Sequence, residues 1–278
     1  DVPVGVKRGG GVEGRIGRGR VLTGYVSAAP VQYEGRAVNL SISGKSRTGD
    51  LVDCAAINTP GQWRAQSVQS IVAPLAGEYG ITVIDDSGLA QAIDDHTIEP
   101  GETAFESIDR LLTLSRLFST DDGRGRLIIA SPGSAGRAAD RLVLGENILT
   151  GDAQMDFSNV FSKYVSKGQR SGTDTSFGVA ATEVEASVTD DRIGRKRVKV
   201  IQQSGQLTQA IARARVVWER ANAISKALAA TYKYQGWRQS NGELWRHNMI
   251  VRVVDPIVGF DRDMLITEIS YELGEQGT

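Results

Sequence analysis

The stretch EPGETAFESIDRLLTLSRLF, residues 99–118, carries the clearest structural signal in the chain. Thr103 and Glu106 have the spacing of a capping box, in which each side chain accepts a hydrogen bond from the other residue's backbone N–H. Apolar residues follow at helical intervals, Asp121-Asp122-Gly123 predicts a turn, and RLIIA at 126–130 predicts a strand. Helix, turn and strand in this order predict a small α/β unit.

The chain before this stretch predicts strands and one further helix. Alternating apolar residues indicate strands over Val21–Val26 and Ala37–Ser43, with a turn between them. An apolar face of helical period indicates a helix over Ser67–Tyr79, followed by the short strand ITVID at 81–85. Because Pro74 lies inside that helix and lacks the N–H that a helix needs, we expect a kink or an early end there.

The chain after residue 151 predicts a strand-rich segment that also holds the longest helix. Strands are indicated at Val160–Ser166, Glu183–Val188 and Arg197–Ile201, and around 231–237, 249–254 and 264–273. The helix is predicted over Leu207–Leu228, with an apolar face of Leu207, Ile211, Ala214, Val217, Trp218, Ala221, Ile224 and Leu228. These patterns predict an α+β protein.

Composition excludes several classes of protein. The 278 residues are 40% apolar and 23% charged with a net charge of −1, so bulk electrostatics do not predict a polyanion binder. Cys54 is the single cysteine, which excludes an internal disulfide, and no apolar run approaches the 18 residues of a membrane span.

Charge is nonetheless unevenly placed along the chain. Residues 65–109 hold nine acidic residues and no Lys or Arg, whereas 192–226 hold nine Lys or Arg residues and one acidic residue. This asymmetry indicates distinct domains or complementary faces, or else ordinary solvated surface.

The glycine-rich segment at 6–21 has the spacing of a dinucleotide-binding turn at Gly9, Gly11 and Gly14. Such a turn needs a helix after it to hold the pyrophosphate, and here the strand VLTGYV follows instead. With five basic residues in the segment, we predict a flexible, basic β-hairpin loop, with nucleic-acid contact as the alternative.

Other motifs that suggest chemistry are incomplete. Gly44-Lys45-Ser46 matches the end of a Walker A loop, but Asn39 stands where the first glycine is required. Asp94-Asp95-His96 lacks a second ligand cluster, and His247 lacks a local partner pattern for acid–base work. We therefore predict no catalytic residues, no metal site and no cofactor, and hence a protein that is not an enzyme.

An ordered series of segments resembles one protein family over residues 21 to about 273. The series is similar to the central tail baseplate hub of Mu-like and P2-like contractile phages, a family often called late control protein D. The matching segments are VLTGYV (21–26), SGKSRTGDLVDCA (43–55), EPGETAFESIDRLL (99–112), GENIL (145–149), FSKYVSKGQ (161–169), VVWERANAI (216–224), GWRQSNGELWRHNMIVRVVD (236–255) and LITEISYEL (265–273).

The resemblance implies a trimeric ring in the virion's tail baseplate, assembled in the bacterial host cytoplasm. Each subunit would carry two β-barrel-type domains with an α/β insertion: a partial first barrel at 1–60, an α/β domain at 61–150, and a second barrel with the long helix at 151–278. Implied partners are further copies of the chain, the spike, and tail-tube or other baseplate proteins, with DNA passing through the channel without specific binding. Because few residues precede VLTGYV, we expect either missing N-terminal residues or a small first barrel.

We predict structural roles, not a catalytic site, for the sharpest parts of the resemblance. Core packing is favoured over partner contact for the two tryptophans of the C-terminal motif. The candidate residues are Gly24, Tyr25, Gly44, Ser46, Arg47, Asp50, Asp53, Trp218, Gly236, Trp237 and Trp245. Two alternatives remain open: a nucleic-acid-binding protein that uses Arg15–Arg20 and Arg192–Lys199, and a peptidoglycan hydrolase of a tail baseplate.

Overall fold

The structure, a computed structural model, describes residues 10–35, 37–89, 92–169, 183–203 and 208–273. The chain divides into two compact units. Unit 1 holds the described residues up to Arg137 together with Arg246–Ile250 and Leu265–Thr267. Unit 2 holds Ala138–Trp245, Val251–Met264 and the described residues from Glu268 onward.

Unit 1 contains ten strands and three helices among its described residues. They are β1 (Gly11–Ile16), β2 (Gly19–Ala28), β3 (Val31–Glu34), β4 (Ala37–Leu40), β5 (Ser43–Ser46), α1 (Gly49–Asp53), β6 (Gln62–Ser67), α2 (Val68–Gly77), β7 (Val83–Asp85), β8 (Ala92–Thr97), α3 (Ala104–Leu114), β9 (Phe118–Asp121) and β10 (Leu127–Ala130). The sheets are β1-β2-β5, β7-β10-β9, β3-β4 and β6-β8. Strand β7 is parallel to β10, and β9 is antiparallel to it, so the predicted helix–turn–strand unit is confirmed as α/β structure.

Helix α3 forms as its capping box predicts. The Thr103 hydroxyl accepts from the Glu106 N–H at 3.1 Å, and the Glu106 carboxylate accepts from the Thr103 N–H at 2.8 Å. Its predicted apolar face is buried, with Ile108, Leu111 and Leu112 fully covered. This face and that of α2 supply most of the core of unit 1.

Helix α2 differs from the prediction at Pro74. The helix continues through this residue and ends only at Gly77, so the early end does not occur. Proline costs the helix one backbone hydrogen bond, but Ile71, Val72 and Leu75 are buried in the core on the same helix. Their burial offsets that loss.

Unit 2 contains the remaining strands and the longest helix, apart from Ile250 and Leu265, which belong to unit 1. The elements are β11 (Leu142–Val143), β12 (Ile148–Met155), β13 (Lys163–Gln169), β14 (Glu183–Thr189), β15 (Val198–Gln203), α4 (Gln209–Ala227), β16 (Leu228–Tyr234), β17 (Ile250–Asp255) and β18 (Phe260–Leu265). The sheets are β11-β17-β18, β12-β16 and β14-β13-β15.

Helix α4 exists as predicted, but the predicted apolar face is wrong. Ala212 and Val216 are fully buried against Tyr164 of β13, whereas Val217, which was assigned to the face, is 44% exposed. Trp218 is partly exposed, and the Arg215 guanidinium lies over its ring at 4.9 Å. Apolar residues lie on nearly all sides of this helix. The side with the smaller residues packs against the sheet because the large Tyr164 ring fills the space between helix and sheet.

The remaining strand predictions are confirmed only in part. In the described part of the 6–21 segment, strand β1 pairs antiparallel with β2, so the predicted hairpin is confirmed and its arms are regular strands. The predicted turn before residue 37 contains β3, and the last predicted strand ends at Leu265. Among the described residues each sheet has two or three strands and none is closed into a barrel.

Candidate functional site

The pairing of β2 with β5 requires glycine at two predicted positions. Gly24 lies opposite Ser46, and Gly44 lies opposite Val26. A Cβ on Gly24 would stand 1.9 Å from the Lys45 carbonyl oxygen, and one on Gly44 would stand 2.4 Å from the Tyr25 carbonyl oxygen. Because no side chain fits at such distances, the two glycines allow the strands to approach.

The residues after β5 connect this sheet to other parts of unit 1. The Arg47 N–H donates to the Thr23 carbonyl at 3.0 Å, and its guanidinium donates to the Gly80 carbonyl at 2.9 Å. The Thr48 hydroxyl donates to the Asp121 carboxylate at 3.0 Å. Two consecutive residues, Arg47 and Thr48, therefore join the β1-β2-β5 sheet to the turn after α2 and to β9.

The two predicted acidic residues of this motif lie on α1. Asp53 forms an exposed ion pair with Lys45 at 2.6 Å, which contributes little to stability in water. Asp50 lies in the first turn, and its backbone carbonyl accepts from the Cys54 N–H at 3.0 Å. The contacts of Asp50 are therefore local to α1, whereas Asp53 contacts β5.

The C-terminal motif forms a second connected group, in unit 2. Trp245 is 7% exposed, and its ring packs edge-on against Tyr234 with 5.2 Å between centroids. Trp237 is half-buried and donates its indole N–H to the Glu272 carbonyl at 3.0 Å. Gly236 has φ of +92°, a conformation that favours glycine. Structural roles for these residues stay a prediction.

Acid–base and metal chemistry has little support in the described residues. His96 bonds the Ser107 hydroxyl at 3.0 Å, but both side chains are buried inside unit 1, and burial lowers the pKa of His96. The Asp95 carboxylate accepts a hydrogen bond from Gln62 and forms an ion pair with Arg64. No group of three potential metal ligands is found in the part of the chain that the structure describes. No helix among those residues is long and apolar enough to cross a lipid bilayer.

The basic segments proposed for nucleic-acid contact differ in their surroundings. In the second segment, Arg192 pairs with Asp190 at 2.6 Å and Lys199 with Glu219 at 3.1 Å, so part of that charge is neutralised. In the first segment, Arg15, Arg18 and Arg20 line one pocket of unit 1 together with Arg124. Sequence reasoning did not include Arg124, which reaches the pocket only through the fold.

Comparison with known proteins identifies the chain's relatives. Residues 48–131 match the family described as baseplate hub protein gp44-like, second domain, and residues 208–278 match Mu phage baseplate assembly protein GpP, fourth domain. The 43 kDa tail protein of prophage MuSo2 from Shewanella oneidensis has 32% identity and a TM-score of 0.79, over 94% of this chain and 76% of that protein. The chain belongs to the Mu-like phage baseplate hub family.

Two further relatives agree with membership of the Mu-like baseplate hub family. Baseplate hub protein gp44 of Escherichia phage Mu is 28% identical over 293 residues, which covers 99% of this chain and 76% of gp44. The tail protein from Neisseria meningitidis MC58 has 22% identity and a TM-score of 0.81, over 92% of this chain and 77% of that one, and therefore shares the fold. The match to the second domain of the hub family begins at Thr48, so it includes the Thr48–Asp121 hydrogen bond but not Arg47.

Proposed function

We propose that the chain is a structural subunit of a trimeric ring that joins the tail tube to the central spike of a phage or prophage tail. Membership of the baseplate hub family supports this proposal. DNA would pass through the ring, and the subunit would be incorporated into the virion's baseplate during assembly in the host cytoplasm. A barrel-type arrangement would then be completed by neighbouring subunits.

The observation that carries the proposal is the hairpin β3–β4 in unit 1. Val31 lies opposite Leu40 and Tyr33 lies opposite Val38, and cross-strand partners point to the same face of a sheet. That face is apolar, and its four side chains are 51%, 37%, 80% and 58% exposed in the order Val31, Leu40, Tyr33 and Val38. The other face carries Gln32, Glu34, Ala37 and Asn39.

A two-stranded hairpin of this kind is marginal in water without further packing. Contiguous uncovered apolar side chains are typical of surfaces that bind a partner. In a closed ring each copy presents the same surfaces to its neighbours, so one apolar hairpin in each subunit is covered once per interface. We therefore assign this hairpin to the contact between subunits.

Light scattering coupled to size exclusion tests the ring. Three copies of 29.9 kDa give a species of about 90 kDa at micromolar concentration, and we expect it to persist in moderate salt because its core contacts are apolar. A species near 30 kDa would refute the ring. The acidic stretch 65–109 and the basic stretch 192–226 would add little affinity at an exposed rim.

Matched variants test the hairpin. Tyr33→Ser with Val38→Ser removes two exposed apolar side chains and should shift the protein toward the 30 kDa species. Gln32→Ser with Asn39→Ser alters the opposite face of the same strands and should leave the trimer intact. Equal effects of the two pairs would show that the apolar face is not the contact.

We propose no enzymatic role. The Ser107–His96 pair has the chemistry of a nucleophile and base, but Ser107 is fully buried and His96 nearly so, which denies a substrate access. Purified protein should release no fragments from peptidoglycan. Release that a single carboxylate substitution abolishes would establish a hydrolase instead.

A further inference from the structure

An open pocket of about 550 Å³ in unit 1 is lined by six residues, of which four are arginines. Arg15, Arg18 and Arg20 come from the β1–β2 hairpin, and Arg124 comes from the turn between β9 and β10. The remaining lining residues, Asp122 and Gly123, belong to that same turn. The β1–β2 hairpin and the β9–β10 turn, which are far apart in sequence, therefore bring four arginines to one pocket.

The carboxylates at this pocket are already engaged. Glu13 accepts from Arg15 at 2.9 Å and pairs with Arg20 at 3.1 Å, and the hydrogen bond from Arg15 is the main cause that lowers the pKa of Glu13. The Oδ2 atom of Asp122 accepts two hydrogen bonds from the Arg126 guanidinium, at 2.8 and 2.6 Å.

Two guanidinium groups are left without a carboxylate. Among the described residues, no carboxylate lies within the 4.0 Å of an ion pair from Arg18 or Arg124, and both residues are exposed at the pocket. Uncompensated like charges repel one another, and a bound anion would remove that repulsion.

The backbone holds the two turns together. A Cβ on Gly123 would stand 2.2 Å from the Arg20 carbonyl oxygen, so the turn lies directly against β2. The Thr23 hydroxyl donates to the Gly123 carbonyl at 2.7 Å, and Gly17 at the hairpin turn has φ of +60°. The guanidinium groups are therefore carried on a preformed scaffold, which lowers the entropic cost of binding.

From this geometry we infer that the pocket is an oxyanion site that binds a phosphate group through Arg18 and Arg124. A guanidinium presents its N–H donors as a planar fork that matches phosphate oxygens in pairs. A phosphate has enough oxygens to accept from two forks at once, whereas one fork occupies both oxygens of a carboxylate. The inference does not rest on the trimeric ring, because every residue involved belongs to one unit of one chain.

Calorimetric titration of the full chain with sodium pyrophosphate tests the site. We expect binding that Arg18→Ala with Arg124→Ala weakens by at least about tenfold, since two charge-assisted contacts are lost. Arg195→Ala with Arg213→Ala removes the same charge from exposed positions in unit 2 and should change the affinity less than about twofold. Arg18→Lys keeps the charge but loses the fork and should weaken binding to an intermediate degree.

A short DNA duplex in the same titrations distinguishes the sources of phosphate. If Arg18→Ala with Arg124→Ala lowers the affinity for the duplex as well as for pyrophosphate, the site binds nucleic-acid backbone. If that double variant lowers only the affinity for pyrophosphate, the site binds small phosphate compounds. Absence of pyrophosphate binding, or equal weakening by both double variants, would overturn the inference. Tighter binding of a hexaglutamate peptide than of pyrophosphate at the pocket would also overturn it, in favour of an acidic protein partner.

Discussion

Replacing Gly24 with alanine should destabilise unit 1 strongly. The added Cβ would stand 1.9 Å from the Lys45 carbonyl oxygen and 2.9 Å from the Ser46 Cα, and ordinary contact begins near 3.4 Å. Strands β2 and β5 would have to separate by about 1.5 Å, which lengthens their ladder hydrogen bonds beyond the range in which they hold.

The cost combines two terms. Overpacking costs about 1–3 kcal/mol and the loss of two ladder hydrogen bonds about 2 kcal/mol, which gives roughly 3–5 kcal/mol in the free energy of unfolding. That loss corresponds to a fall of roughly 10 °C in the thermal midpoint of a unit of this size.

Thermal denaturation followed by circular dichroism measures this fall, and Gly77→Ala is the matched control. Gly77 is the last residue of α2, and nothing lies within 4 Å of an added Cβ there. Alanine at such a position is neutral or stabilises by up to about 1 kcal/mol. Equal midpoints for the two variants would refute the close approach of β2 and β5.

Two further predictions concern α4 and His96. In urea denaturation, Val216→Ala should lower the free energy of unfolding by about 2 kcal/mol because Val216 is fully buried, whereas Val217→Ala should change it by less than about 0.5 kcal/mol. A larger loss for Val217→Ala than for Val216→Ala would show that the Val217 side of the helix is the packed one. Because burial places the folded-state pKa of His96 below its ordinary 6.5, the unfolded chain takes up the proton first and stability should fall as pH decreases from about 6.5. His96→Gln should flatten the profile between pH 7 and 5, and an unchanged slope would exclude His96 as its source.

Several elements could be predicted from the sequence because local interactions determine them. The capping box of Thr103 and Glu106 bonds residues three positions apart, so the start of α3 needs no tertiary contact. The apolar period of α2 likewise identifies its buried face, because its large apolar residues lie on one side and the exposed side carries only polar or small residues. The ordered motifs also predicted the family, which the comparisons confirm.

Contacts between distant residues decided the rest. The side of α4 that packs depends on the Tyr164 ring of β13, because the apolar residues of the helix are not confined to one face. Nothing in the sequence distinguishes Gly24 and Gly44 from the other glycines, and their requirement follows only from the pairing of β5 with β2. The Arg18–Arg124 pocket depends on a contact that spans 100 residues, from Thr23 to Gly123, and no periodicity encodes such a separation.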